Sequence, residues 1–126
     1  MAAQSEVDRL PMMATYVLGL FRRPADLPVI PAEEVERIQE GHMGNIRRLT
    51  EAGELIVAGP FTEDTHLRGV LVFSTSSVER ARELTANDPA LVQGRLLLDL
   101  YTWYAPAGLR VGPPPRNPTE LDFQTD

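Results

Sequence analysis

His42 is one of only two histidines in the chain, and it stands between two glycines in the stretch EGHMGNIRRL (40–49). Imidazole is the side chain suited to taking and returning a proton near neutral pH. The stretch reads as helix, where each interior glycine costs about 1 kcal/mol relative to alanine. With a turn of about 100° per residue, His42 falls about 20° from Val35, in the middle of a stripe completed by Ile38, Ile46 and Leu49. Gly41 and Gly44 are expected on the flanks of that stripe. Their missing side chains would leave room beside the histidine for a neighbouring element or a small molecule. A lone histidine on an apolar face also occurs as an ordinary core residue, so its partner decides the matter.

Asp88 is the candidate partner. His42 lies eleven residues before Gly53, and Asp88 eleven residues after Ser77. At about 1.5 Å per helical residue, both lie roughly 16 Å from the end shared by two antiparallel helices. The pair is therefore expected to stand level. A carboxylate beside an imidazole fixes its tautomer, raises its basicity and stabilises its cation, which is the orienting half of a general base. Two plainer roles stay open. Asn87-Asp88-Pro89 suits a helix end, and the pair could be a buried structural hydrogen bond.

Other chemistries find less support. Cysteine is absent, so thiolate nucleophiles, disulfides and cysteine zinc sites are excluded. All twelve basic residues are arginine, which excludes a lysine Schiff base. Glu63, Asp64 and His66 carry metal-ligand types, but three polar residues in one turn read as a solvated turn, and no metal is expected. Ser74 to Ser77 lack a histidine at predictable range. The glycines form no phosphate-binding pattern, and no cofactor is expected. A net charge of −6 argues against nucleic acid as a partner. MAAQSEVDRLPMM does not read as a signal peptide, and no apolar run is long enough to cross a bilayer. The expected setting is cytoplasmic, with no membrane partner.

The elements that must position these residues alternate regularly along the 126 residues. TYVLGLF (15–21) reads as a strand closed by Arg22, Arg23 and Pro24, and a proline-rich loop follows. A helix is expected from Ala32 to Ala52, entered through Pro31 with Glu33 and Glu34 in its first turn and stopped by Gly53. LIVAGPF (55–61) and GVLVFS (69–74) form a hairpin. Ser76 with Glu79 resembles a capping box opening a second helix that runs to about Asn87-Asp88-Pro89. RLLLDLYTWY (95–104) is the last strand. The order β-α-β-β-α-β predicts a ferredoxin-like α+β fold, a four-stranded antiparallel sheet with both helices on one face.

The strands alternate weakly, as in Leu96-Leu97-Leu98, so both sheet faces are expected to be buried. The helices cover only one. A second subunit packed sheet to sheet is the expected cover for the other, with a folded-back N-terminal segment or C-terminal tail as the alternative. Tyr16, Trp103 and Tyr104 are candidates for lining a cavity or for core. The tail from 105 holds five of the eleven prolines and reads as a solvated or surface-hugging extension rather than a polyproline ligand.

GHMGNIRRLTEAGELIVAGPF, GVLVF and ARELTANDPALVQGRLLLDLYTWY together resemble the YCII-related domain family, over about residues 15–104. The most specific parts are the helical histidine, the AGPF strand end and the NDP after the second helix. The resemblance implies a dimeric α+β barrel of two ferredoxin-like subunits, with an active-site histidine and aspartate at His42 and Asp88. Residues 1–14 and 105–126 then flank the domain as extension and tail. Two functions follow as expectations. One is a small cofactor-free enzyme in which His42, held by Asp88, takes a proton from a cyclic or aromatic metabolite, giving isomerisation or elimination. The other is a module that binds a small molecule without turning it over.

Overall fold

A computed structural model describes residues 12–114. Four strands, β1 (Met13–Arg22), β2 (Leu55–Pro60), β3 (Leu67–Phe73) and β4 (Leu97–Pro106), form one sheet in the order β2-β3-β1-β4. Every neighbouring pair is antiparallel. Helices α1 (Ala32–Glu51) and α2 (Val78–Thr85) cross one face, and a one-turn helix α3 (Pro89–Val92) leads into β4. This is the ferredoxin-like α+β arrangement, with α3 as an addition the sequence pattern did not show. No helix among the described residues is long and apolar enough to cross a membrane.

Local chemistry explains the helix ends. The Pro31 carbonyl accepts from the Glu34 and Val35 N–H groups, and Glu33 and Glu34 sit where the helix N-terminus favours negative charge. Gly53 adopts a φ of 78°, a left-handed conformation that ends α1 at little steric cost. The cap of α2 is Ser77 rather than Ser76: its Oγ accepts the Arg80 N–H at 3.1 Å. Ser74 is equally committed, donating from Oγ to the Gly53 carbonyl at 2.8 Å.

Between the helices and the sheet lies the main core. Val17, Phe21, Leu71 and Phe73 from the two central strands meet Leu49 of α1 and Ala81 of α2. The opposite face is the one the helices do not cover. Within one chain it is not buried: Val57, Leu97, Tyr101 and Trp103 keep between 39% and 51% of their surface exposed. Only one corner is covered, where Tyr16, Val72 and Ala105 pack together with Leu109. The Tyr16 hydroxyl donates to the Pro106 carbonyl and accepts the Leu109 N–H. Among the described residues, the chain just after β4 thus folds back over that corner alone. The PPPRNP run continues past residue 114, outside the described residues.

Candidate active site

His42 lies on the inner side of α1 and is 8% exposed; Asp88 is wholly buried. Nδ1 of His42 lies 2.7 Å from Oδ2 of Asp88. An ionised carboxylate can only accept, so the proton of a neutral imidazole belongs on Nδ1 and the lone pair on Nε2. The second carboxylate oxygen, Oδ1, accepts the Ala90 N–H at 2.9 Å. Asp88 is therefore held from both sides, by the ring and by the first turn of α3. Phe21 of β1 packs edge-on against the imidazole, with ring centroids 5.1 Å apart and planes inclined at 74°. The ring is fixed on two of its sides.

Counting along helices placed Asp88 level with His42, but the chain reaches that level by another path. The second helix stops at Thr85, three residues short of Asp88, and Asp88 then N-caps α3. Pro89 explains the break. It has no N–H to continue α2, yet its fixed φ suits the first turn of a new helix. Asp88 therefore starts a helix where a helix end was expected.

The two glycines do different things. A Cβ on Gly41 would sit 2.5 Å from Pro89 Cγ, so α1 approaches α3 closely only because Gly41 has no side chain. That close approach is what lets His42 reach the carboxylate next to Pro89. A Cβ on Gly44 would meet nothing within 4 Å. Gly41 is a spacer and Gly44 is not.

A cavity of about 420 Å³ opens beside His42, between α1 and the end of the sheet where β1 and β2 finish and β3 begins. The apolar stripe of α1 divides here. Its C-terminal part, Leu49, is core, whereas Val35, Ile38 and Ile46 line the cavity, and Val35 remains 42% exposed. Leu27 from the β1–α1 loop supplies another wall. Its neighbour Pro28 accepts a hydrogen bond from the Arg95 guanidinium through its carbonyl, which ties the loop to the start of β4. Tyr16, Trp103 and Tyr104 do not line this cavity. Tyr16 and Trp103 pair across β1 and β4 on the face away from the helices, where Phe21 has no counterpart. Strand alternation decides that for Tyr16 and Trp103, whereas Tyr104 shares the face of Phe21 but pairs with Thr15 at the other end of β1.

Three cavity residues escaped the sequence reading: Arg23, Arg68 and Arg95. Each stands at a strand end or in a polar turn, where an arginine carries no periodic signal. Glu63, Asp64 and His66 occupy the β2–β3 turn. Among the described residues, no three histidine, aspartate or glutamate side chains converge as a metal group would require. Asp64 instead lies 3.6 Å from Arg23 and 3.8 Å from Arg68.

Fold and site together define a ferredoxin-like α+β domain with one histidine–carboxylate contact on the wall of a ring-sized cavity. The chain belongs to the YCII-related domain family, whose match covers residues 14–97. No curated protein matches the chain. Among solved structures it is similar to 5-chloro-2-hydroxyhydroquinone dehydrochlorinase from Burkholderia phenoliruptrix AC1100, solved in complex with 2,5-dihydroxybenzoquinone. The two share 16% identity over 69% of this chain and 92% of that chain, with a TM-score of 0.47.

Proposed function

We propose that this protein is a small enzyme in which His42 acts as a general base on a cyclic or aromatic metabolite, giving isomerisation or elimination. One observation carries the reading: the imidazole is bonded through Nδ1 to a buried carboxylate while its ring forms part of a 420 Å³ cavity wall. With Nδ1 donating to Asp88, Nε2 is the nitrogen left to take a proton from a C–H or O–H of the ligand. Asp88 then lies against the imidazolium that forms and stabilises it. The electron pair released on carbon either expels a leaving group or moves along the ring system to be reprotonated elsewhere by the same histidine. In elimination the leaving group departs with its bonding pair and the proton on Nε2 passes to it or to solvent; in isomerisation that proton returns to the ligand, and neither outcome changes the overall oxidation state.

The cavity agrees in size and surface. Its volume falls in the ordinary range for small-molecule sites. An apolar cavity of about 150 Å³ already holds a benzene, so one or two rings fit in 420 Å³. We infer in addition that a second copy of the chain covers the sheet face opposite the helices. Large exposed side chains on both edge strands of that face, Val57 on β2 and Leu97, Tyr101 and Trp103 on β4, support this reading.

The test is a panel of small cyclic compounds carrying an acidic C–H or O–H. For any compound turned over, His42→Ala should lower kcat by roughly 10²–10⁴-fold, the usual contribution of a general base, with the circular dichroism spectrum unchanged. Undiminished turnover in that variant would overturn the assignment. Saturable binding at His42 with no turnover across the panel would point instead to a recognition module.

A further inference from the structure

We propose that the ligand of this cavity is an acid: a small apolar ring system carrying a carboxylate, which Arg23, Arg68 and Arg95 receive while His42 faces the ring. The inference rests on the proposed site and adds the substrate's charge. The chain as a whole is acidic, with eighteen aspartates and glutamates against twelve arginines. The cavity reverses that balance. Among the described residues, Arg23, Arg68 and Arg95 are the only permanently charged ones that line it, and no carboxylate does. The remaining walls are largely aliphatic, so the field of three guanidiniums is concentrated in a cleft of one sign beside low-dielectric surface.

Their existing partners leave that charge available. Asp64 approaches Arg23 and Arg68 at 3.6 and 3.8 Å, too far for hydrogen bonds, and its side chain is 90% exposed. It is a loose, hydrated counter-ion that a ligand carboxylate can displace. Arg95 donates to the Pro28 carbonyl, a neutral acceptor, and forms no ion pair among the described residues. Two of these arginines reach the cavity from different strands: Arg23 follows β1, and Arg68 lies in β3. The Arg23 N–H donates to the His66 carbonyl at 2.7 Å, which holds the β2–β3 turn beside that strand end. Guanidinium recognises a carboxylate through two parallel hydrogen bonds, so such a group fixes orientation as well as supplying affinity. The consequence for the reaction is positional. The carboxylate anchors the ligand among the arginines, and the ring extends along Val35, Ile38 and Ile46 towards His42.

Two pairs of probes isolate the charge: benzoate against benzamide, and 2-naphthoate against 2-naphthamide, each titrated into the full chain. Binding is followed by intrinsic fluorescence competition and by the ring signals of His42, which His66→Gln distinguishes from those of the other histidine. The acids should bind at least about tenfold more tightly than the amides, as charge-assisted hydrogen bonds imply. Their affinity should fall with added salt and by about tenfold in Arg68→Gln. Arg95→Lys keeps the charge and separates its loss from loosening of the 24–31 loop. Equal binding of acids and amides, binding of acids that is indifferent to salt and to Arg68→Gln, or no binding by either series would overturn the inference. The proposed base is tested separately by the same spectra. Amides that shift His42 as strongly as acids would leave the base standing and remove the acid specificity. Acids that bind through the arginines without shifting His42 would do the reverse.

Discussion

Asp99 shows how a single residue on the open sheet face sets a pH limit. Arg22 donates to both Asp99 oxygens, and the two side chains share the face that carries Leu20 and Leu97. That hydrogen bond, ahead of the opposing effect of burial, holds the Asp99 carboxyl below the usual carboxylate range. A carboxyl depressed in the folded state stabilises the fold above its unfolded pKa, and the contribution is lost as pH falls through the folded value. Asp99→Asn should therefore be less stable than the parent at about pH 7, with the difference closing below about pH 4. Urea midpoints measured at both pH values check this, and a constant difference would remove the pair from the account. His42 and Asp88 pose a different question at the same scale. Their residue types suggested a proton carrier and its orienting partner, while the direction of the bond, Nδ1 to Oδ2, came from the folded chain.

At the scale of elements, the site depends on how near α1 comes to α3. Gly41 sits against Pro89, with no space for a methyl group, whereas Gly44 faces open space. The two alanine substitutions should therefore diverge. Gly44→Ala should stabilise the protein by up to about 1 kcal/mol, the helix-propensity difference with no steric penalty. Gly41→Ala gains the same propensity but forces α1 and α3 apart, so it should be net destabilising and lengthen the His42–Asp88 contact. Thermal melts give the stability order, and the nitrogen shifts of the His42 ring report whether Nδ1 still donates to a carboxylate. Equal behaviour of the two variants would mean the close approach has no bearing on the site. Helical spacing could not separate these glycines, because the property that distinguishes them belongs to Pro89, on a different element. The same limit applies to the stripe of α1: period 3.6 identifies Val35 and Leu49 alike as inward-facing, but only the position of the sheet end makes one a cavity wall and the other core.

For the whole molecule, the second copy proposed above would pack on the uncovered sheet face. Trp103 is the only tryptophan and lies on that face at 40% exposure. If two copies pack sheet to sheet, Trp103 emission should shift to the red on dilution as sedimentation passes from dimer to monomer. A Trp103→Glu or Tyr101→Glu substitution should give a folded monomer at concentrations where the parent is dimeric. A parent that sediments as a monomer at all concentrations would leave that face to other occupants. Among the described residues, the chain beyond β4 reaches one corner of it, through Leu109 and the Tyr16 hydroxyl.

What the sequence determined by itself follows from short-range rules. Strand and helix order, the proline entry and glycine exit of α1, and the identity of an imidazole on its inner side are all written in local composition and period. Those features specify the ferredoxin-like topology, because alternation and turn chemistry act between residues close along the chain. The tertiary structure decided what depends on distance through space. It decided that Asp88 begins a helix rather than ending one, that Gly41 but not Gly44 admits a neighbour, and that Arg23, Arg68 and Arg95 meet at one cavity from separate elements. Residues at strand ends and turns have no period to betray which way they face, and their meeting place exists only once the sheet has assembled.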